Sequence, residues 1–336
     1  MKRLSRRGFI IQSGVMATAI TLPLALNPLL TKMEMTRIRQ FDVIITGGSY
    51  SGLAAALALG RALRTVLIID NGNPCNRQTP YSHNFITQDG KPPHVITASA
   101  KRQVKEYKTV EFHNDSVITG NKNEGGFEVH TRSGRKFSAK KLIFATGIKD
   151  IMPGIPGFAQ SWGISVLHCP YCHGYEVRDQ ITGVLGNGNF GYEFAALISN
   201  WTKDLALYTN GKSALSAQQT KKLHQHNIPI IEDEIENLEH ESGYLKKINF
   251  KNGITREIRA LYTRPDFVQH CSVPEMIGCV MTEEGYIKVD SAQRTSIPGV
   301  FACGDNTTKL RTVANAVAMG TTAGLIVNKE LIEEEF

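Results

Sequence analysis

FDVIITGGSYSGLAAALALGRALRTVLIID, residues 41–70, carries its signals in a fixed order. Asp42-Val43-Ile44-Ile45-Thr46 is a short β-branched apolar run, the pattern of a strand buried in a parallel sheet. Gly47-Gly48-Ser49-Tyr50-Ser51-Gly52 follows at once, and Leu53 to Gly60 then reads as a helix of small residues able to pack closely on a sheet. Thr65 to Asp70 is the next strand. Together they make a βαβ unit whose glycines let the backbone approach a pyrophosphate, with the free N–H groups of the helix N-terminus meeting its charge. Asp70 lies 23 residues beyond Gly47, where a carboxylate would hold a ribose hydroxyl. Ser49 stands at the middle glycine position of this fingerprint.

The arrangement recurs further along. Ile181 to Gly186 reads as a strand entering a second glycine loop, Gly186-Asn187-Gly188-Asn189-Phe190-Gly191, with a helix from Tyr192 to Trp201 and a strand from Leu205 to Gly211. The end of that last strand should contact an adenosine ribose, with an acid for NAD or an arginine for the 2′-phosphate of NADP. Tyr208-Thr209-Asn210-Gly211-Lys212 offers neither, and Lys212 is its nearest cation. NADPH and NADH therefore stay open as cofactors beside a nucleotide fold that no longer holds nicotinamide tightly. The fold expected is α/β, with two Rossmann-like dinucleotide-binding domains, the second inserted in the first.

Between the two loops stands Cys169-Pro170-Tyr171-Cys172-His173-Gly174-Tyr175-Glu176. A C-x-x-C pair can close a small reducible ring, and a neighbouring acid or base can set its thiolate fraction. Cysteine, cysteine and histidine in this spacing also match c-type haem attachment, and a cysteine pair can be half of a zinc site. Zinc would need a second ligand pair, which Cys75, Cys271, Cys279 and Cys303 do not supply as a C-x-x-C; haem would leave both glycine loops without a purpose. Two structural thiols are the plain alternative, against which stand the Pro, His, Gly and Glu around them. No metal site is expected. The other four cysteines read as small buried residues.

Phe127 to Thr131, followed by Ser133-Gly134, suggests a small antiparallel hairpin, and Lys141 to Gly147 a separate buried strand. Two prolines and two glycines in Pro153-Gly154-Ile155-Pro156-Gly157 mark a boundary. Ile297 to Asp305 is a strand ending in Gly304-Asp305, whose carboxylate could hold a cofactor hydroxyl or simply cap a turn, and Ala314 to Ile326 reads as a helix rich in small residues.

The 336 residues carry a formal charge of +7, of which Lys2, Arg3, Arg6, Arg7 and Lys32 against Glu34 contribute +4. Without a further basic cluster interleaved with aromatics, nucleic acid is not an expected partner. Ser5-Arg6-Arg7-Gly8-Phe9-Ile10-Ile11 and the apolar stretch to Leu30 look like a twin-arginine export signal within residues 1–37. An uncleaved leader could act as a membrane anchor, although Pro23 and Pro28 would break a spanning helix; translation from Met33 or Met35 would leave the protein cytoplasmic.

Taken together, these motifs resemble the low-molecular-weight thioredoxin reductases, flavoproteins of the pyridine nucleotide-disulfide oxidoreductase family, over nearly all of residues 39–330. The resemblance implies an FAD domain at 38–154 and 276–336, interrupted at 155–275 by a pyridine-nucleotide-type domain that carries the active disulfide, and a homodimer. It implies that Gly47, Gly48, Ser49, Ser51 and Gly52 line the FAD pyrophosphate and Asp70 its ribose. Thr146, Gly147, Gly304 and Asp305 match the family's other flavin motifs, with Arg311, Thr312 and Val313 beside the isoalloxazine, Thr312 replacing a usual glutamine. Gly186, Gly188 and Gly191 would face the nicotinamide nucleotide. Cys172 would face the flavin, Cys169 would exchange with substrate, and His173 would replace the family's acidic proton donor. The implied partner is a thioredoxin-like protein or a small dithiol or disulfide. The motif variants Cys-Pro-Tyr-Cys-His-Gly-Tyr-Glu and Gly-Gly-Ser-Tyr-Ser-Gly are similar to those of dithiol oxidases, such as the enzymes of gliotoxin and holomycin biosynthesis. Those pass electrons from a dithiol through the cysteines and flavin to oxygen. The leading expectation is a thioredoxin-reductase-like oxidoreductase that passes electrons between flavin and a substrate disulfide through Cys169 and Cys172; the dithiol oxidase is the runner-up, and a reductase fed by ferredoxin or another donor and a redox-inactive flavin sensor are the remaining readings.

Overall fold

The computed structural model describes residues 40–336, and the leader expected at residues 1–37 lies outside them. The chain begins with β1 (Gln40–Thr46), α1 (Tyr50–Arg61), β2 (Val66–Asp70), α2 (Pro93–Lys105), β3 (Val110–Asn114), β4 (Val117–Asn123), β5 (Gly126–Thr131), β6 (Lys136–Phe144) and β7 (Ile148–Asp150). It continues with α3 (Phe158–Ser161), β8 (Val166–Leu167), α4 (Pro170–His173), β9 (Thr182–Leu185), α5 (Gly188–Ile198), β10 (Leu205–Tyr208), α6 (Ala217–Gln225) and β11 (Ile230–Ile231). The remainder comprises β12 (Ile235–Glu241), β13 (Tyr244–Phe250), β14 (Thr255–Glu257), β15 (Ala260–Tyr262), β16 (Phe267–Gln269), α7 (Val273–Met276), β17 (Val300–Ala302) and α8 (Val313–Glu335).

The first sheet runs β3-β2-β1-β6-β5-β4, with β17 also on β6. β1, β2, β3, β6 and β17 are parallel, and Val43, Ile44 and Ile45 are fully buried, as a strand covered on both faces requires. The expected hairpin and the separate strand from Lys141 share one element. The first half of β6 pairs antiparallel with β5 (Phe127 against Ala139), and its second half pairs parallel with β17 (Leu142 against Val300). The second sheet, β11-β10-β9-β15-β8, is parallel throughout, and all its strands lie between β6 and β17 in sequence. The fold is therefore α/β with two Rossmann-like sheets, the second inserted in the first. A three-stranded antiparallel unit, β12-β13-β14, and the ribbon of β7 with β16 complete it.

α8 crosses α1 at close range because Gly320 and Gly324 present no side chain there. A Cβ on Gly320 would land on the Ser51 carbonyl, and one on Gly324 would stand 2.7 Å from the Ala55 carbonyl. That crossing holds the first glycine loop and the start of α8 together. The helix extends nine residues beyond the expected end at Ile326 because its acidic tail is tied to the sheet. Glu330 meets Arg294 at 2.6 Å and Lys141 at 3.3 Å, Glu334 also binds Lys141, and Glu335 meets Arg64 and Lys140 at 2.7 and 2.8 Å. Lys141 is buried, so its charge needs those carboxylates.

Candidate active site

The turn from β1 into α1 is sharp because Gly47 takes φ +104° and lies against the Ala145 carbonyl, a place no side chain could fill. Ser49 is the N-cap of α1, yet its hydroxyl makes no capping bond, and the first turn contains no acid. The helix N-terminus is thus left with donors for an outside anion. Gly48 lies directly under the Asp70 side chain, which a Cβ there would strike. Gly52 packs on Gly47 and Gly304 on Ser51.

Two recesses adjoin along this turn. One is lined by Thr46, Gly47 and Asp70. The other is lined by Ser49, Ser51, Thr146, Gly147, Asp305, Arg311, Thr312 and Val313. Thr146, Asn73 and His270 border both, so the carboxylate of Asp70 and the start of α8 lie along one elongated path. An open helix N-terminus between a ribose-type carboxylate and an inner cleft fits the FAD that the family implies. Gly186, Gly188 and Gly191 are not part of this path and lie in the loop and helix that follow β9 of the second sheet.

The inner cleft contains a charge cluster that the motifs do not announce. Arg311 gives two parallel hydrogen bonds to Asp150 (2.8 and 3.0 Å), and its Nε lies 3.7 Å from Asp305. Asp150 comes from β7, held in place by β16. Burial pushes the Asp305 carboxyl above its ordinary value, and Arg311 opposes that shift. Cys75 corrects the expectation of four core cysteines. Cys271, Cys279 and Cys303 are buried, but Cys75 is partly exposed, lines the cleft and lies 3.8 Å from Asp305. Burial and the Asp305 charge push its thiol up to about 12. Thr312 caps α8 by accepting from the Asn315 N–H at 3.1 Å, so its hydroxyl already has a task.

Cys169 is the N-cap of the short α4, with Pro170 starting the turn and Cys172 in its last part. Both thiols are free. The Cys172 S–H, together with the Cys172 and Tyr171 N–H groups and the Arg264 charge, holds Cys169 below the ordinary thiol value against the effect of burial. Cys172 is pushed up by that same bond to Cys169, by burial and by the charges of Cys169 and Asp305. The pair is polarised, with Cys169 the more acidic thiol and Cys172 sensing the carboxylate of the inner cleft. His173 and its unanticipated neighbour His168 both border that cleft, and the His168 ring lies 5.8 Å from that of Trp162. Tyr262 was also missed. Its buried hydroxyl has no hydrogen-bond partner among the described residues, and burial and the Cys169 and Glu176 charges keep it a phenol.

The two histidines give a pH dependence. His168 is pushed down to about 3 by burial and the Arg311 and His173 charges, and His173 to about 4 by burial and His83. From the ordinary value of 6.5 down to those values, the unfolded chain binds more protons than the folded one. Stability is therefore complete above the ordinary value and lost as pH falls through this window, by up to about 1.4 kcal/mol per pH unit for each histidine. Urea unfolding at about pH 7 and about pH 5 should show the midpoint falling, by less in His168→Phe, which keeps only the His173 contribution.

The second glycine loop is closed by its own side chains. Asn187 caps α5 by accepting from Gly188 N–H at 2.8 Å and also accepts from Ala214 N–H at 2.7 Å, while its amide donates to the Lys212 carbonyl at 2.9 Å. This is why α5 begins at Gly188, four residues before the expected Tyr192. Asn189 accepts from Gln219 at 2.7 Å. At the expected ribose edge, the Thr209 hydroxyl binds the Gly211 carbonyl, Asn210 accepts from Ile235 N–H, and the Glu232 carboxylate accepts from Ser213 N–H.

Comparison with known proteins agrees with this geometry. The signature of the pyridine nucleotide-disulphide oxidoreductase family matches residues 41–320. Thioredoxin reductase tcpT of Claviceps purpurea is 32% identical over 305 residues, covering 87% of this chain and 95% of that protein. The crystal structure of a putative thioredoxin reductase TrxB from Bacillus anthracis superposes with a TM-score of 0.84 at 32% identity, covering 88% of this chain and 100% of that one. The crystal structure of HlmI superposes with a TM-score of 0.83 at 31% identity, covering 88% and 94%. A flavin-type glycine turn, a polarised cysteine pair beside its cleft and relatives matched almost end to end agree, and the chain belongs to the thioredoxin reductase-like branch of the pyridine nucleotide-disulphide oxidoreductases.

Proposed function

We propose that this enzyme uses FAD to oxidise a dithiol, a small molecule or a thioredoxin-like protein, through Cys169 and Cys172, with oxygen as the final acceptor. FAD, when bound, supplies the two-electron acceptor; the chain supplies the sulfur chemistry. A substrate thiolate attacks Cys169 of the Cys169–Cys172 disulfide and Cys172 leaves as the thiolate next to the cleft; the second substrate sulfur then displaces Cys169, so that the substrate leaves as a disulfide and the pair as a dithiol whose two electrons the flavin would accept. His173, neutral near physiological pH, accepts the proton that an attacking thiol gives up. Arg311, held by Asp150 and Asp305, keeps a fixed positive charge on the cleft wall.

The observation that carries the direction of flow is the second glycine loop. The side chains of Asn187, Asn189 and Gln219 are already engaged in hydrogen bonds around the loop, and the Glu232 carboxylate at the ribose edge, which would repel a 2′-phosphate, already accepts from the Ser213 N–H. NADPH should therefore bind with a Kd of about 1 mM or weaker by calorimetry, a binding free energy of only about −4 kcal/mol. The test of the whole reading is oxygen uptake by the flavin-loaded protein with dithiothreitol and no nicotinamide. Uptake that needs NADPH would instead favour the reductase, and cysteine-independent flavin binding without turnover the sensor.

A further inference from the structure

His173 lies in the wall between two cavities. It borders the inner cleft together with Ser49, Asp305 and Arg311, and it also borders a second, outer pocket with His83, Glu176, Tyr81 and Tyr244. Tyr81 and Tyr244 are exposed, so that outer pocket meets solvent. His83 is largely covered, its side chain 19% exposed, and each ring nitrogen faces a carboxylate: Nε2 lies 3.5 Å from Glu176 and Nδ1 lies 3.5 Å from Asp89. Asp89 is fixed by accepting from the Asn84 N–H at 2.7 Å and is itself 66% exposed. Exposure rises in order from His83 to Glu176 and Asp89, which ends in water.

We propose that His83, aligned by Glu176 and Asp89, is a proton-relay residue that connects His173 to solvent through the outer pocket. The inference rests on the dithiol reading given above. In each exchange an attacking thiol loses its proton as its sulfur forms the new S–S bond, and the displaced sulfur leaves as a thiolate with the electron pair of the broken bond. The proton goes to a ring nitrogen of His173. A buried imidazole that accepts a proton must pass it on before the next exchange, and His83 is the group whose charge His173 feels most. From there the carboxylates of Glu176 and Asp89 lead to water. The other charged or titratable groups along this path are Lys246 and Arg259 on the outer pocket and His168, His270, Asp305 and Arg311 on the inner cleft; the Asp305 carboxylate favours a proton on the inner side, and Lys246, Arg259 and Arg311 oppose one.

The test uses the full-length flavin-loaded protein and anaerobic stopped-flow reduction of the flavin by dithiothreitol, followed across the histidine titration range in light and heavy water. His83→Asn should slow reduction by roughly 10-fold to 100-fold, enlarge the solvent isotope effect, shift the pH profile and regain rate with added imidazole. Glu176→Gln, which keeps the shape of the side chain, should give a smaller slowing and the same change of pH profile. A wild-type rate, pH profile and isotope effect in His83→Asn would overturn the relay and leave the dithiol reading standing. A slowing that imidazole does not relieve, with no change of profile or isotope effect in either variant, would also overturn it and reduce His83 to a loop clamp. Wild-type flavin that no dithiol reduces would overturn the dithiol reading and the relay together.

Discussion

Cys172→Ser is expected to abolish flavin reduction by a dithiol, slowing it by at least about 1,000-fold, while the protein keeps its fold and its flavin. Cys169, the lower-pKa thiol, can still attack a substrate disulfide or be captured in a mixed disulfide, but a serine hydroxyl cannot resolve that bond. Offered the disulfide form of the substrate in place of the dithiol, the variant should therefore hold a mixed disulfide on Cys169, with the displaced sulfur leaving as a thiol, seen by intact mass under non-reducing conditions, whereas Cys169→Ser should hold none. Cys75 cannot take over. It lies in the cleft, but its thiol is pushed up to about 12, so almost none of it is thiolate at neutral pH. Turnover that survives Cys172→Ser would remove the cysteine pair from the mechanism altogether.

Arg311→Met should have the largest effect on stability, about 3–5 kcal/mol, because it breaks a buried ion pair by removing one partner. Asp150 is 4% exposed and would be left without its two charge-assisted bonds, and Asp305 would lose the Arg311 charge that opposes the effect of its burial. The loss should appear in urea unfolding of both the flavin-free and the flavin-loaded protein. A compensating Asp150→Leu on top of Arg311→Met should regain much of it, since an uncharged pair of similar volume does not need solvation. A change below about 1 kcal/mol for Arg311→Met would mean that water reaches the pair and that the cleft is not the low-dielectric site described.

Residues 41–70 and 181–211 made the two sheets legible, because periodicity and glycine spacing are local properties. What depends on partners was not legible in the same way. Lys136 to Phe144 changes neighbours halfway along, so its two halves read as a hairpin arm and a buried strand although they are one. The early start of α5 comes from an asparagine cap, and the late end of α8 from ion pairs to Lys141, Arg294 and Arg64, which no helical periodicity contains. At the site, the cysteine pair and His173 announced themselves by spacing. Asp150 and Cys75 did not, because each joins the cleft through chain folding, from a two-stranded ribbon and from a loop. His83 likewise meets Glu176 across 93 residues. His168 carried a signal that was available, standing directly before Cys169.

In the proposed reaction electrons enter from a dithiol through Cys169 and Cys172, with no nicotinamide at the second glycine loop. The direct measurement is an anaerobic absorbance titration of the flavin-loaded protein with NADPH, then NADH, then a dithiol. The expected result is a flavin band untouched by either nucleotide, bleached by the dithiol and restored by air. Bleaching by stoichiometric NADPH, with the dithiol without effect, would contradict it.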